Sequence, residues 1–317
     1  MVNNTKFPHA TARFYRVVSI KLVCQTIKSC GSKGNKLDSL STFDYMKNKR
    51  LLYKYQSYNQ YLFNLLINCE FWMSPPDKLN DPFEGDFRVK EIKKFQNEPT
   101  IKRLLEYSKK NLLDELVFAE NLKEAQNDIN VLSNFLYEYV NSQIRSKYGI
   151  TCFSRNRSSV RMWSHYADSH KGVCLIFDED KLISDINMKI YSSKLMDVHY
   201  SQSLPFIDII NHDSDQDNYE YIGISNDNSF LFNKQKSWKY ENEVRLVIDS
   251  NFETFPDRRM KFSKDSLVGI ILGARIQNDN KTALDRLFEN KDLYNGIKFY
   301  KAIKEIEYPR LRIERIK

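Results

Sequence analysis

The sequence predicts an α+β architecture: a strand-rich core with a helical insert on one side. Three observations lead there. From Gly149 onward, short β-branched or aromatic runs bounded by turn residues (GITCFS, KGVCLIF, KIYSSKLMDVHYS, EVRLVI, RMKFS, VGIILG, GIKFYKAI) make the C-terminal half mainly strand. Residues 88 to 147 have no internal Gly, and Leu104, Leu105, Leu112, Leu113, Leu116 and Val117 recur at helical spacing, which predicts two or three helices. Ahead of that insert, LLYKYQ (residues 51 to 56) and Glu70 to Ser74 read as further strands of the same core.

In chain order, residues 1 to 50 carry Gly31, Ser32, Gly34 and Asn35 close together and are read as an accessory extension. Residues 51 to 317 form one domain. After the first strand, Tyr61, Leu62, Leu65 and Leu66 predict a helix over 58 to 67. Pro75, Pro76 and Pro82 then force a loop, because proline removes a backbone donor and pushes the preceding residue out of helix. Two short helices are expected within the C-terminal half, at 160 to 167 and 282 to 288, and the Asp/Asn/Ser-rich stretch from 201 to 228 is expected to be a loop.

The composition narrows the function classes. Of the 317 residues, 41% are apolar and 28% charged, which argues against disorder over the whole chain. No run approaches the roughly 20 apolar residues of a membrane span, so no membrane partner is expected. Lys and Arg exceed Asp and Glu to give a net charge of +8, a balance that suits a nucleic acid, RNA or DNA. Five Cys, at 24, 30, 69, 152 and 174, form no C-x-x-C pair; with no secretory signal, a reduced cytoplasmic location is expected.

Three motifs could carry chemistry. In SPPDKLNDPFEGD (residues 74 to 86), prolines lock a loop crowded with Asp77, Asp81, Glu84 and Asp86, which could ligate Mg²⁺ or Ca²⁺ although the spacing is not that of a calcium loop; the alternative is a turn in which Asn80 and Asp81 bond their own backbone and Phe83 plugs the core. In the segment Arg161 to Gly172, helical spacing sets Trp163 beside Tyr166 and His165 beside Asp168, forming a ligand platform. His165, Asp168 and His170 as metal ligands, or Cys152 or Cys174 as a nucleophile with His165, are weighed against cysteines that simply fill a core. In WKYENEVRLVI (residues 238 to 248), a strand beginning at Glu241 would put Glu241, Glu243 and Arg245 on one face. Either the glutamates work on a substrate, or Arg245 and a nearby Lys pair with them on a solvated face.

Taken in order, LLYKYQ, SPPDKLNDPFEGD, YGITCFSRN, MWSHYADSHKGVCLIFD and WKYENEVRLV resemble the bacterial family named domain of unknown function 2971, over roughly residues 51 to 275. More distantly, the order of polar residues is similar to ADP-ribosyltransferases of the bacterial-toxin and antiphage type. That resemblance implies a split-sheet core that clamps NAD as a substrate, without a metal. It implies that Lys54 holds the NAD phosphates or ribose, and that Tyr53, Tyr55 or Tyr166 stacks on nicotinamide. Ser154 or Tyr166 takes the middle-strand position, with Trp163, His165, Asn80 and Asp81 lining the site. Glu243 would bind the ribose 2′-hydroxyl and Glu241 would orient or deprotonate the acceptor, a nucleic acid or a protein, in a toxin or antiphage setting with a neutralising partner. Position 54 is Lys where that family has Arg or His.

Two other readings stay open: a non-catalytic module that binds a nucleotide or nucleic acid, and a metal-dependent nuclease built on Asp81, Glu84, Glu241, Glu243 and Lys239. Geometry separates the three. A transferase needs Lys54 and Glu243 to converge, a nuclease needs Asp81 or Glu84 within metal reach of Glu243, and a module leaves Glu243 paired with Arg245 or Lys.

Overall fold

The computed structural model describes residues 50–89, 134, 137, 138, 141, 144, 147–189, 193–207, 228–249, 257–289, 294 and 296–316. The extension expected over residues 1 to 50, except Arg50, and most of the helical insert lie outside the described residues, as do residues 208 to 227 of the expected loop. The strands are β1 (Leu51–Gln56), β2 (Glu70–Trp72), β3 (Arg88–Val89), β4 (Tyr148–Ser154), β5 (Val173–Asp178), β6 (Ser193–Asp197) and β7 (His199–Ser201). They continue as β8 (Phe206–Ile207), β9 (Asn233–Gln235), β10 (Glu243–Asp249), β11 (Arg259–Lys261), β12 (Leu267–Leu272), β13 (Lys298–Lys304) and β14 (Leu311–Arg315). The helices with described bounds are α1 (Gln60–Asn68), α2 (Val160–Tyr166), α3 (Glu179–Lys189) and α4 (Asn278–Glu289).

The architecture is mixed α+β. Eight strands form one sheet in the order β14-β13-β12-β5-β1-β4-β10-β6. Among the described residues, only β12 and β13 run parallel in it, and α4 lies in the crossover connection that a parallel pair requires. The expected insert begins differently from its prediction: Arg88–Val89 is a strand that pairs with Phe206–Ile207.

Alternation along the strands gives the sheet two distinct faces. Leu52, Phe153, Phe177, Leu246 and Ile270 pack on the first face with Leu62 and Leu66 of α1, Leu182 of α3 and Leu284 of α4. α1 forms where it does because the Asn59 side chain accepts the Tyr61 and Leu62 N–H groups, and it stops at Cys69, which is left-handed at φ 53. The second face carries Tyr53, Tyr55, Cys174, Ile176 and Ile271 beneath Met162 and Trp163 of α2. Ser159 caps that helix by accepting the Met162 N–H. Two glycines let the segment after α2 lie against the sheet: a Cβ at Gly172 would stand 2.2 Å from the Gln56 carbonyl oxygen, and one at Gly273 would stand 2.2 Å from that of His170.

Candidate functional site: a buried charge cluster under an aromatic rim

Three adjacent strands place the candidate residues. Tyr53 of β1 pairs with Ser154 of β4, and Ser154 pairs with Glu243 of β10, so the three side chains form one row on the second face. Glu241 does not belong to that strand. It ends a 3₁₀ helix (Lys236–Glu241), and Asn242 follows in the left-handed conformation at φ 45. Asn tolerates that conformation because its side chain is short and polar. The reversal turns Glu241 and Glu243 toward one lysine instead of lining them up along a strand.

That lysine is Lys234 of β9. Its Nζ donates to Glu241 Oε2 at 2.6 Å and to Glu243 Oε2 at 3.0 Å. Arg245 holds Glu243 with Nε to Oε1 at 2.9 Å and Nη2 to Oε2 at 3.1 Å. Its other edge holds Glu84 in the same two-pronged way, at 2.5 and 2.8 Å. The Leu231 carbonyl accepts a further Arg245 N–H. All five groups are buried, from Arg245 at 0% to Lys234 at 8% exposure. The solvated sheet face expected for this pairing is therefore corrected: the partners are as anticipated, but they sit inside the protein.

Ions are removed from water only at high cost, so the cluster must compensate itself. Burial works to raise the Glu243 carboxyl, yet Arg245 and Lys234 override it and hold that carboxyl down at about 2. For Lys234 burial works to lower the ammonium, and Glu243, Glu241 and Glu84 hold it well above its ordinary value instead. Three carboxylates face two cations, and at Glu84 burial outweighs the partners, raising its carboxyl. Burial and the Glu243 carboxylate also push the Cys152 thiol well up, which removes its nucleophilic form.

Above the cluster lies an aromatic rim. The Tyr166 hydroxyl donates to Glu241 Oε1 at 2.5 Å, and the Asn80 side chain bonds the same hydroxyl. The Tyr200 hydroxyl accepts the Glu243 backbone N–H at 2.8 Å, and burial pushes that phenol up to about 12. Trp238 presents its ring to Lys234 Nζ at 4.9 Å, an arrangement that favours the cation. Tyr240 sits between Trp238 and His165, with ring centroids 6.1 Å from each, and the Arg161 guanidinium stands 5.1 Å over it.

Tyr166, Asn80, Glu241, Glu243 and Ser154 thus come together, Ser154 through its hydroxyl bond to the Glu241 carbonyl. Others do not join them. Lys54 follows Tyr53 on β1 and so points to the first face, where its Nζ donates to Thr151 Oγ1 at 2.8 Å and the Cys152 carbonyl at 3.1 Å. Trp163 is fully buried, with its indole N–H on the Arg157 carbonyl, so it supports the platform from below. The Tyr55 hydroxyl is occupied by the Asn156 carbonyl, and Asp81 accepts the Phe83 N–H as the turn alternative anticipated, but Asn80 turns to Tyr166 and Phe83 is exposed instead of plugging the core. His165 is exposed beside Tyr240, while Cys152 bonds Glu243, so no Cys–His pair forms between them. Among the described residues, no group of three His, Cys, Asp or Glu is disposed to hold a metal ion. Glu84 and Glu243 do approach one another, but the Arg245 guanidinium lies between them.

Residues 162–246 match a family model described as Protein of unknown function (DUF2971). The span runs from α2 into β10 and includes Tyr166, Lys234, Glu241, Glu243 and Arg245, but neither Asn80 nor Glu84. It is narrower than the resemblance over residues 51 to 275. No curated protein and no solved structure matches the chain. Among the described residues, no helix is long and apolar enough to cross a membrane.

Sequence reasoning called for a nearby Lys without identifying it as Lys234, and it missed Tyr200. Lys234 is one of three lysines in FNKQKSWK, and nothing in that run tells which of them is buried.

Proposed function

We propose that this chain is a non-catalytic module that binds a nucleotide or a short single-stranded nucleic acid on the aromatic rim. The observation that carries this reading is the state of the two motif glutamates: both are buried and already bound, Glu241 to Lys234 and Tyr166, Glu243 to Lys234 and Arg245. Carboxylates so engaged make a rigid floor, with no free oxygen pair waiting for a substrate proton. Tyr166, Trp238 and Tyr240 then offer ring faces, and Arg161, Lys236 and Lys239 are exposed beside them. Stacking of a base on such rings contributes about 1–3 kcal/mol and tolerates any base. Titrating oligouridylate or ATP against tryptophan fluorescence should give saturable binding that weakens at least tenfold in Trp238→Ala and Tyr240→Ala. Equal affinity in both variants would overturn the reading.

A second reading has its own support. The row Tyr53, Ser154, Glu243 across adjacent strands, with the Tyr166 hydroxyl on Glu241, sets three residues expected to contact NAD beside the two expected catalytic glutamates. That arrangement favours the ADP-ribosyltransferase-like split-sheet fold, with NAD as substrate and a nucleic acid or protein as acceptor. The position of Lys54 counts against it. Incubation with labelled NAD, mixed RNA, DNA and extract protein decides: label transfer that disappears in Glu243→Gln and Glu241→Gln, and survives EDTA, would replace the module by the transferase.

A further inference from the structure

The eight-stranded sheet has two edges, and β14 forms the one far from the charge cluster. The backbone bonds to β13 decide which of its groups face outward. The Glu305 N–H donates to the Arg310 carbonyl at 3.1 Å, and the Ile316 N–H donates to the Phe299 carbonyl at 2.8 Å. Between these bonds the register pairs Lys304 with Leu311, Ile303 with Arg312, Ala302 with Ile313, Lys301 with Glu314 and Tyr300 with Arg315. Hydrogen-bonded and non-hydrogen-bonded pairs alternate along an antiparallel ladder. Arg312 and Glu314 therefore turn their backbone groups toward β13, while Leu311, Ile313 and Arg315 turn theirs outward. Among the described residues, no strand pairs with that outer edge.

An open edge invites another strand unless something blocks it, and charged side chains are the usual block. On β14 the charges alternate in sign. Arg312 and Glu314 share one face, are largely in water and bridge to each other at 2.6 Å. When the strand is laid antiparallel against a copy of itself with Ile313 facing Ile313, each Arg312 stands opposite the Glu314 of the other copy. Those are non-hydrogen-bonded positions, where facing side chains come closest and opposite charges stabilise the pair. In the same register the outward N–H and C=O of Ile313 meet their counterparts, and the Leu311 groups meet those of Arg315.

A slip by two residues toward the hairpin tip would keep the hydrogen-bond pattern but set Arg312 against Arg310, so charge selects the register centred on Ile313. One position beyond Arg315, that register brings Ile316 opposite Arg310, whose guanidinium lies 5.5 Å over the Tyr308 ring. Ile316 and Tyr308 are both exposed in the single chain. Apolar side chains left in water at the two ends of the strand are thus drawn together.

We propose that β14 is a dimerisation edge: two copies of this chain pair their β14 strands antiparallel about Ile313, with an Arg312 to Glu314 bridge on either side. The edge shares no residue with the aromatic rim, so it stands or falls separately from the module reading. A pairing strand of five residues is short against the roughly 1,200–2,000 Å² that stable complexes bury, so the dimer is expected to dissociate in the micromolar range.

Sedimentation equilibrium of the full chain, run from roughly 1 to 300 μM, tests this. The native chain should follow a monomer–dimer equilibrium. Arg312→Glu and Glu314→Arg each set like charges opposite one another, so each should weaken self-association at least tenfold. Mixed in equal amounts, the two variants should dimerise again, because each presents the charges that the other lacks; a folding defect would give no such recovery. Ile313→Pro removes an outward N–H and leaves the bonds to β13 in place, so it should stay monomeric with the native circular dichroism spectrum. A native chain that is monomeric throughout, assemblies larger than a dimer, or mixed variants that remain monomeric would each overturn the proposal. So would a dimer that survives a charge reversal or Ile313→Pro unweakened.

Discussion

Two lysines packed against opposite faces of one sheet, Lys54 half-buried and Lys234 buried, meet opposite fates. Lys54 sits between the rings of Phe71 and Phe153, at 5.8 and 5.3 Å from their centroids, and its hydrogen-bond partners are the Thr151 hydroxyl and the Cys152 carbonyl. Burial lowers its ammonium below the ordinary value. Lys234 sits among three carboxylates and is raised. Burial alone therefore does not decide the state of an ion; the formal charge of its nearest neighbours does. The first face is an apolar core that tolerates a lysine through neutral acceptors, and the second is organised around charge.

The sharpest way to break this comparison is to remove the cation that serves two carboxylates. Arg245→Met should cost about 3–5 kcal/mol, because Glu84 and Glu243 are left buried with one cation fewer. Urea unfolding would measure it, and adding Glu84→Gln should recover part of the loss. Next comes the lysine pair itself. Lys234→Met should cost at least about 3 kcal/mol, whereas Lys54→Met, which orphans no carboxylate, should stay within about 1.5 kcal/mol. Equal costs would mean that the two faces do not differ as described.

Smaller effects sharpen the picture further. Asn242→Ala should destabilise by about 1–2 kcal/mol and Asn242→Gly by much less, since only the former meets the left-handed penalty at φ 45. Acid titration separates the carboxylates. The Glu243 carboxyl is depressed on folding to about 2, so its contribution is present above the unfolded value near 4.5 and is lost as pH falls between the two. The Glu84 carboxyl is raised on folding, so its contribution is present below the unfolded value and is lost as pH climbs through the folded one. Thermal melts should thus lose their steep acid limb in Glu243→Gln, while Glu84→Gln should keep that limb and flatten the slope above it.

Much of this was legible in the amino-acid order. The C-terminal strand runs and the helices near residues 160 and 282 follow periodicities that packing enforced. β14 went unread because LRIER alternates with charges, which a polar tail also does. All three chemical motifs contribute to the site: Asn80 and Glu84 from the first, Tyr166 from the second, and Glu241, Glu243 and Arg245 from the third. What failed was orientation. Lys54 was read toward Glu243, although a one-residue step along a strand reverses the face. Trp163 was read as a ligand platform although it is core, because helical spacing alone does not tell which side of a short helix the sheet will take. Glu241 was read into the strand, because nothing in E-N-E announces that Asn242 turns left-handed.

The pairing of Glu84 with Arg245 also carries a timetable. The two lie 161 positions apart in the chain. At a synthesis rate of roughly 5–20 residues per second, the ribosome needs about ten to thirty seconds after making Glu84 to supply its partner. Throughout that interval the SPPDKLNDPFEGD loop has no Arg245 guanidinium to close over, and β1 likewise waits, though less long, for Ser154 of β4 and its partners on β5. The nascent chain can settle its local helices early, but docking of the acidic loop waits for the arginine made last among the cluster's five ions, so the site cannot mature before Arg245 is made.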